Sequence, residues 1–133
     1  MWTELVEESI ALSYIFGEEK VSLSKIKLVE TKIEYGLDLN ISMRLYLNQF
    51  PSNPPAKWVL NKYNVVQLTF RLITSEIFFF KTIKNCSYTG TIDIVEKEDH
   101  KSLCFVDDLS NDVVFIINSK WIYLNSISAY QSE

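Results

Sequence analysis

Six carboxylates crowd two short stretches of this chain: Glu96, Glu98 and Asp99 in Glu96-Lys97-Glu98-Asp99-His100-Lys101, and Asp107, Asp108 and Asp112 just after it. Carboxylates at this density can share a proton, hold a hard cation or attract a basic partner. The Asp107, Asp108, Asp112 spacing lacks the alternating oxygen ligands of a calcium loop, so no metal is expected there. The single histidine, His100, sits in a polar turn with no apolar anchor for its ring, and reads as a solvated loop residue, not a general base. Glycines occur only at 17, 36 and 90, which leaves no phosphate-cradling loop, and neither a serine nucleophile motif nor a zinc spacing is present. No catalytic residue, metal or cofactor is therefore expected. The six carboxylates remain as the candidate partner-binding residues.

The charge distribution favours a protein partner. Residues 1–19 carry five acids and no base, residues 20–92 ten bases and four acids, and residues 93–112 two bases and seven acids, within a net charge of −4. The basic residues of the middle are scattered over several segments, with no run interleaved with aromatics, so nucleic-acid binding is not expected. The acidic 93–112 region fits a basic protein surface, since complementary fields speed and orient encounter, although a soluble acidic rim would have the same composition.

At 133 residues, 47% apolar and 14% aromatic, the chain is expected to form one domain over residues 1–133 with a core that needs no staple. Its start, Met1-Trp2-Thr3-Glu4-Leu5-Val6-Glu7-Glu8, is acidic where a secretory signal needs positive charge, and no apolar run reaches membrane-spanning length. A cytoplasmic protein with no membrane association is expected. Cys86 and Cys104 read as buried thiols in preference to a disulfide, and their spacing suits no metal.

The elements that must position these groups are mostly strands. Residues 37–47 alternate apolar and polar, predicting a long strand with six inward side chains; Tyr63–Leu72 alternates again and is expected beside it. Residues 21–28 change apolar phase between Leu23 and Ile26, which predicts a bulge there, and residues 21–47 read as a hairpin through Gly36. Glu76-Ile77-Phe78-Phe79-Phe80-Lys81 is apolar on both faces, which predicts a strand in the middle of the structure. Further strands are expected at 91–96, 102–106, 113–117 and 121–124, divided by polar turns at 97–101, 107–112 and 118–120. One amphipathic helix is expected over residues 3–16, with Thr3 as N-cap, Glu4, Glu7 and Glu8 in its first turns, and Gly17 as its stop. The fold class is then mainly β, an antiparallel β-sandwich or open barrel of about seven to eight strands with one N-terminal α-helix. The alternative is an α+β fold with the helix packed on one face of a curved antiparallel sheet.

The segment Asn48-Gln49-Phe50-Pro51-Ser52-Asn53-Pro54-Pro55-Ala56-Lys57-Trp58 holds every proline of the chain. With the following Tyr63-Asn64-Val65-Val66-Gln67-Leu68 and the closing Ile127-Ser128-Ala129-Tyr130, it resembles the immunity protein 50 family of bacterial polymorphic-toxin and contact-dependent inhibition systems. The resemblance implies a small, mostly β, cytoplasmic protein that binds and neutralises a cognate toxin domain, one class of which is a basic nuclease. Pro54, Pro55, Lys57, Trp58 and Asn64 match the family pattern, and read physically as a rigid crossover whose Trp58 is mostly buried. Two other readings stand beside this one: a β-barrel that binds a small ligand in its interior, and an enzyme without a recognisable motif.

Overall fold

The computed structural model describes residues 1–81 and 88–132. Its strands are β1 (Ile26–Glu34), β2 (Asn40–Tyr46), β3 (Val65–Phe80), β4 (Thr89–Glu96), β5 (Lys101–Asp107) and β6 (Val113–Tyr130). They are antiparallel neighbours in a single sheet in the order β1-β2-β3-β6-β5-β4, and β4 returns to β1 to close the ring. The seam is short: Ile26 faces Gly90, Lys27 faces Thr89, and Leu28 N–H donates to the Tyr88 carbonyl at 2.7 Å. On its other side Gly90 permits the close approach of β5. A Cβ there would stand 2.1 Å from the Val106 carbonyl oxygen and 2.7 Å from the Phe105 ring.

The fold is mainly β, as the alternation predicts, but with six strands in place of seven or eight. Two pairs of expected strands are continuous. Residues 63–72 and 76–81 join into β3, and 113–117 and 121–124 join into β6. The polar residues between them face each other across the sheet: Ser75 pairs with Ser119, and their hydroxyls lie 2.9 Å apart with Ser119 buried. The Ser75 hydroxyl also donates to the Leu72 carbonyl at 3.0 Å, so with the one bond shared by the two hydroxyls no turn to solvent is needed there. The long β3–β6 ribbon bends instead, with Thr74 in the left-handed region (φ 53°) and register shifts at Thr69/Phe70 and Ile77/Phe79. One half of the ribbon is flanked by β2 and the other by β5.

Alternation is kept where the sheet is paired on both sides. Val66, Leu68, Phe70 and Leu72 of β3 are fully buried beside Ile41, Met43 and Leu45 of β2, as expected of neighbouring strands. The 37–47 strand is shorter than its pattern, however. Leu37 is wholly exposed and Leu39 half-buried, because both lie in the hairpin turn beyond Glu34, the last paired residue of β1; four of the six expected side chains are buried. Val21 and Leu23 are buried but precede β1, and the bulge expected near them falls at Leu28/Glu30.

The N-terminal segment departs most from its expectation. Residues 3–16 are not one helix: a 3-10 turn covers Trp2–Glu4, Glu7 bridges to β6, Glu8 takes φ 62°, and only Ala11–Phe16 (α1) is α-helical. Beyond Ser119 the outer edge of β6 has no β5 to pair with. Glu7 takes that place, donating to the Ile122 carbonyl at 2.7 Å and accepting from Leu124 N–H at 2.9 Å. A sheet edge that offers two hydrogen bonds outweighs the weak propensity of a short helix. Thr3 caps nothing; its carbonyl accepts from Ser9 Oγ at 2.6 Å. The stop is as expected, with Gly17 at φ 64°. Val6, Leu12 and Phe16 enter the core.

A second helix, α2 (Ala56–Leu60), appears where a rigid crossover and no helix was expected, with Pro55 as its N-cap at φ −54° and ψ 145°. Proline fixes its φ near this value and lacks an N–H that the helix start would leave unpaired anyway. Trp58 is half-buried, not mostly buried: its ring tilts against Phe50 at 5.9 Å on the margin of the core. Among the described residues no helix is long and apolar enough to cross a membrane.

Candidate functional site

The six candidate carboxylates fall into two groups at opposite ends of β5. Seven residues at about 3.3 Å each put roughly 20 Å between them. Glu96 closes β4, and Glu98 and Asp99 lie in the turn to β5; all three are exposed. Lys97 N–H donates to the His100 carbonyl at 2.8 Å, which tightens the turn. The His100 ring lies 2.7 Å from Asp99 Oδ1, and this hydrogen bond, with the attraction of the imidazolium, lowers the Asp99 pKa. Lys101 reaches across to Glu7 at 3.6 Å.

The second group builds the β5–β6 turn. Asp107 is 5% exposed and accepts from Ser110 N–H and Ser110 Oγ, each at 3.0 Å. Asn111 takes φ 59°, which lets Asp107 N–H reach the Asp112 carbonyl at 2.9 Å. Asp107 thus holds the turn from inside and presents no carboxylate outward. Asp112 accepts from Lys81 Nζ at 2.5 Å. Asp108 is exposed, its N–H donating to the Thr89 carbonyl at 3.0 Å.

A feature that the sequence placed elsewhere adjoins this second group. The run Ile77–Phe80 was expected in the middle of the structure, between layers. It is exposed: Phe78 by 65%, Phe79 by 43% and Phe80 by 62%. β2 pairs with β3 only as far as Leu72, and the Ser75 N–H still reaches the Leu39 carbonyl at 2.7 Å; past that point β3 has β6 on one side and no strand on the other among the described residues. The exposed turn–strand end is therefore apolar at its edge and acidic at its tip. Tyr88 and Val29 extend the apolar surface, and a cavity of about 230 Å³ lies between Phe80, Phe105, Phe115 and the β1 residues Leu28 and Val29.

Away from that cavity the interior of the ring is filled. Phe70, Phe105, Phe115, Ile26, Met43 and Leu68 are among its fully buried side chains, and Phe105 packs on Phe115 at 5.4 Å. Side chains occupy the space where a lipocalin-like barrel would hold a ligand. Among the described residues no group of three or more His, Cys, Asp or Glu side chains is placed to hold a metal ion. Cys104 is a free, half-buried thiol whose pKa burial raises, with Asp93 adding to the shift; the expectation for Cys86 lies outside the described residues.

Residues of the proline segment hold the frame. Pro51 is buried, Glu19 Oε1 accepts from Ser52 N–H at 2.9 Å, and Gln49 ties Lys20 and Ser22 to the same loop. Asn64 clasps the chain's end: its Oδ1 accepts from Ser132 N–H at 2.8 Å while its Nδ2 donates to the Ser132 carbonyl at 3.3 Å.

A family model described as Immunity protein 50 matches residues 8–130, nearly the whole chain. No curated protein and no solved structure gives a match.

Proposed function

The chain belongs to the immunity protein 50 family, and on that premise we propose that it protects its own cell by binding and neutralising a cognate bacterial toxin domain, in the cytoplasm and without a cofactor or catalysis of its own. The observation that carries this reading is the family match over residues 8–130. The packed ring interior supports it against a small-ligand barrel, since a protein partner needs only surface.

A basic nuclease domain fits the charge best. Of the six candidate carboxylates, the outward ones are Glu96, Glu98 and Asp99 at one end of β5 and Asp108 and Asp112 at the other, with Asp107 shaping the turn that presents the last two. Roughly 20 Å apart, the two groups span the reach of a standard interface of about 800 Å² per partner. They would compete for a cleft built to hold phosphates, and steer the encounter from a distance.

Co-expression with the product of the neighbouring gene, a toxin on this reading, tests it. Cells should survive only when the immunity chain is present, and the purified proteins should associate at a rate that falls steeply as salt rises, with dissociation little changed. Death of the co-expressing cells, with no complex between the purified proteins, would refute it.

A further inference from the structure

We propose that the open edge of β3, Glu76–Phe80, is where the toxin domain docks, by adding an extended segment of its own to the sheet as a further strand. This deepens the preceding reading and rests on it. Along these five residues of β3 the backbone N–H and C=O groups that alternate away from β6 meet no described strand, and three consecutive phenylalanines stand exposed there. Natural sheets guard such edges with prolines, inward charges or covering loops. Among the described residues no proline and no covering strand guards Glu76–Phe80. The register shift at Ile77/Phe79 sets Phe78 outward, and Lys81 at the end of the run is held back by Asp112.

The anchor point is also present. Phe80 stacks on Phe115 with centroids 6.1 Å apart and planes 9° apart, which holds one of its faces while the rest of the ring is exposed. Beside it lies the cavity of about 230 Å³, walled by Val29 and Tyr88, room for one large apolar side chain. Backbone pairing supplies affinity in strand addition, and such a pocket supplies specificity.

Charge selects the occupant. The edge begins at the Glu76 carboxylate, and beyond its other end, past the Lys81–Asp112 ion pair, lies the acidic β5–β6 turn with Asp108; neither Glu76 nor Asp108 is in an ion pair among the described residues. A second copy of this chain is a poor fit: a two-fold antiparallel pairing centred on Phe78 sets each Glu76 against the other copy's Phe80, leaving a carboxylate against a ring. A strand with an apolar centre that fills the pocket, a lysine or arginine opposite Glu76 and a basic residue toward the acidic β5–β6 turn is the complement.

Hydrogen exchange on the wild-type complex, with affinities of Phe78→Lys and Glu76→Lys, tests the inference. On complex formation the amides of residues 76–80 should gain protection of about tenfold or more. Phe78→Lys, at an exposed position, should weaken binding by roughly thirtyfold or more with its melting temperature unchanged, and Glu76→Lys should slow association at low salt. A wild-type complex that leaves 76–80 unprotected and tolerates Phe78→Lys would overturn the docking site and leave the immunity reading standing. Wild-type protein that does not bind the toxin at all would remove both. A protein that is dimeric alone, and monomeric as Phe78→Lys, would assign the edge to a second copy.

Discussion

Trp2 stands edge-on to Phe70, with ring centroids 5.7 Å apart and planes at 89°, while its Nε1–H donates to the Val21 carbonyl at 2.8 Å. The second residue of the chain thus seals the core against the centre of β3. T-shaped pairing and a satisfied indole N–H make this a good site for a half-buried Trp. Trp2→Ala should lower unfolding free energy by about 2–3 kcal/mol, less than a fully buried ring, measured by urea denaturation.

Gly90→Ala should be among the most damaging single-methyl changes in the chain. The added Cβ meets backbone at Val106 and the Phe105 ring, both on β5, and neither can move far. A loss of about 1–3 kcal/mol is expected, with faster amide exchange along the β4–β5 pairing before any other strand loosens.

Asp107 and Asp108 should separate cleanly although they are adjacent. Asp107→Ala removes the acceptor of Ser110 N–H and Oγ and should cost about 1–3 kcal/mol of stability. Asp108→Lys should leave the denaturation midpoint within about 0.5 kcal/mol of wild type, and reduce the on-rate for the toxin domain. Stability and binding kinetics on the two variants give the check.

Glu19 should report an acid-sensitive contact. The hydrogen bonds from Ser52 lower its folded pKa below the ordinary 4.5, so folding favours the carboxylate form. A depressed carboxylate pKa contributes to stability above its unfolded value, and that contribution is lost as pH falls through the folded value. The Ser52 amide resonance should therefore titrate with a midpoint below 4.5, and Glu19→Gln should abolish that titration.

Trp58→Ala should cost only about 1–2 kcal/mol, because the ring leans on Phe50 at the core margin. The same change in Phe70, which is fully buried, should cost about 3–5 kcal/mol. Denaturant midpoints for the pair measure how far the proline segment acts as frame.

The sequence by itself determined the class of fold, the family and the identity of most core strands. Alternation placed Val66, Leu68, Phe70 and Leu72 on one face and made 65–72 a neighbour of 40–46, because a strand with one buried face carries its register in its side chains. The acidic turns at 97–101 and 107–112 were legible for the same reason, since charged residues break the apolar rhythm where the chain leaves the sheet. Composition also disclosed the inventory of groups without a catalytic pattern.

Only the tertiary structure decided which strands continue and which edges stay open. Ser119 read as a turn residue and Ser75 fell between two expected strands, but across the sheet their hydroxyls share a hydrogen bond, and no one-dimensional pattern records a partner 44 residues away. Glu7 left its helix for the same kind of reason: a vacant stretch of β6 edge offered hydrogen bonds that local propensity could not anticipate. Phe78–Phe80 read as the most interior run of the chain, because burial follows hydrophobicity only where a neighbour arrives to cover it. β2 ends before reaching it, so the most apolar strand end lies at the surface beside the acidic turn.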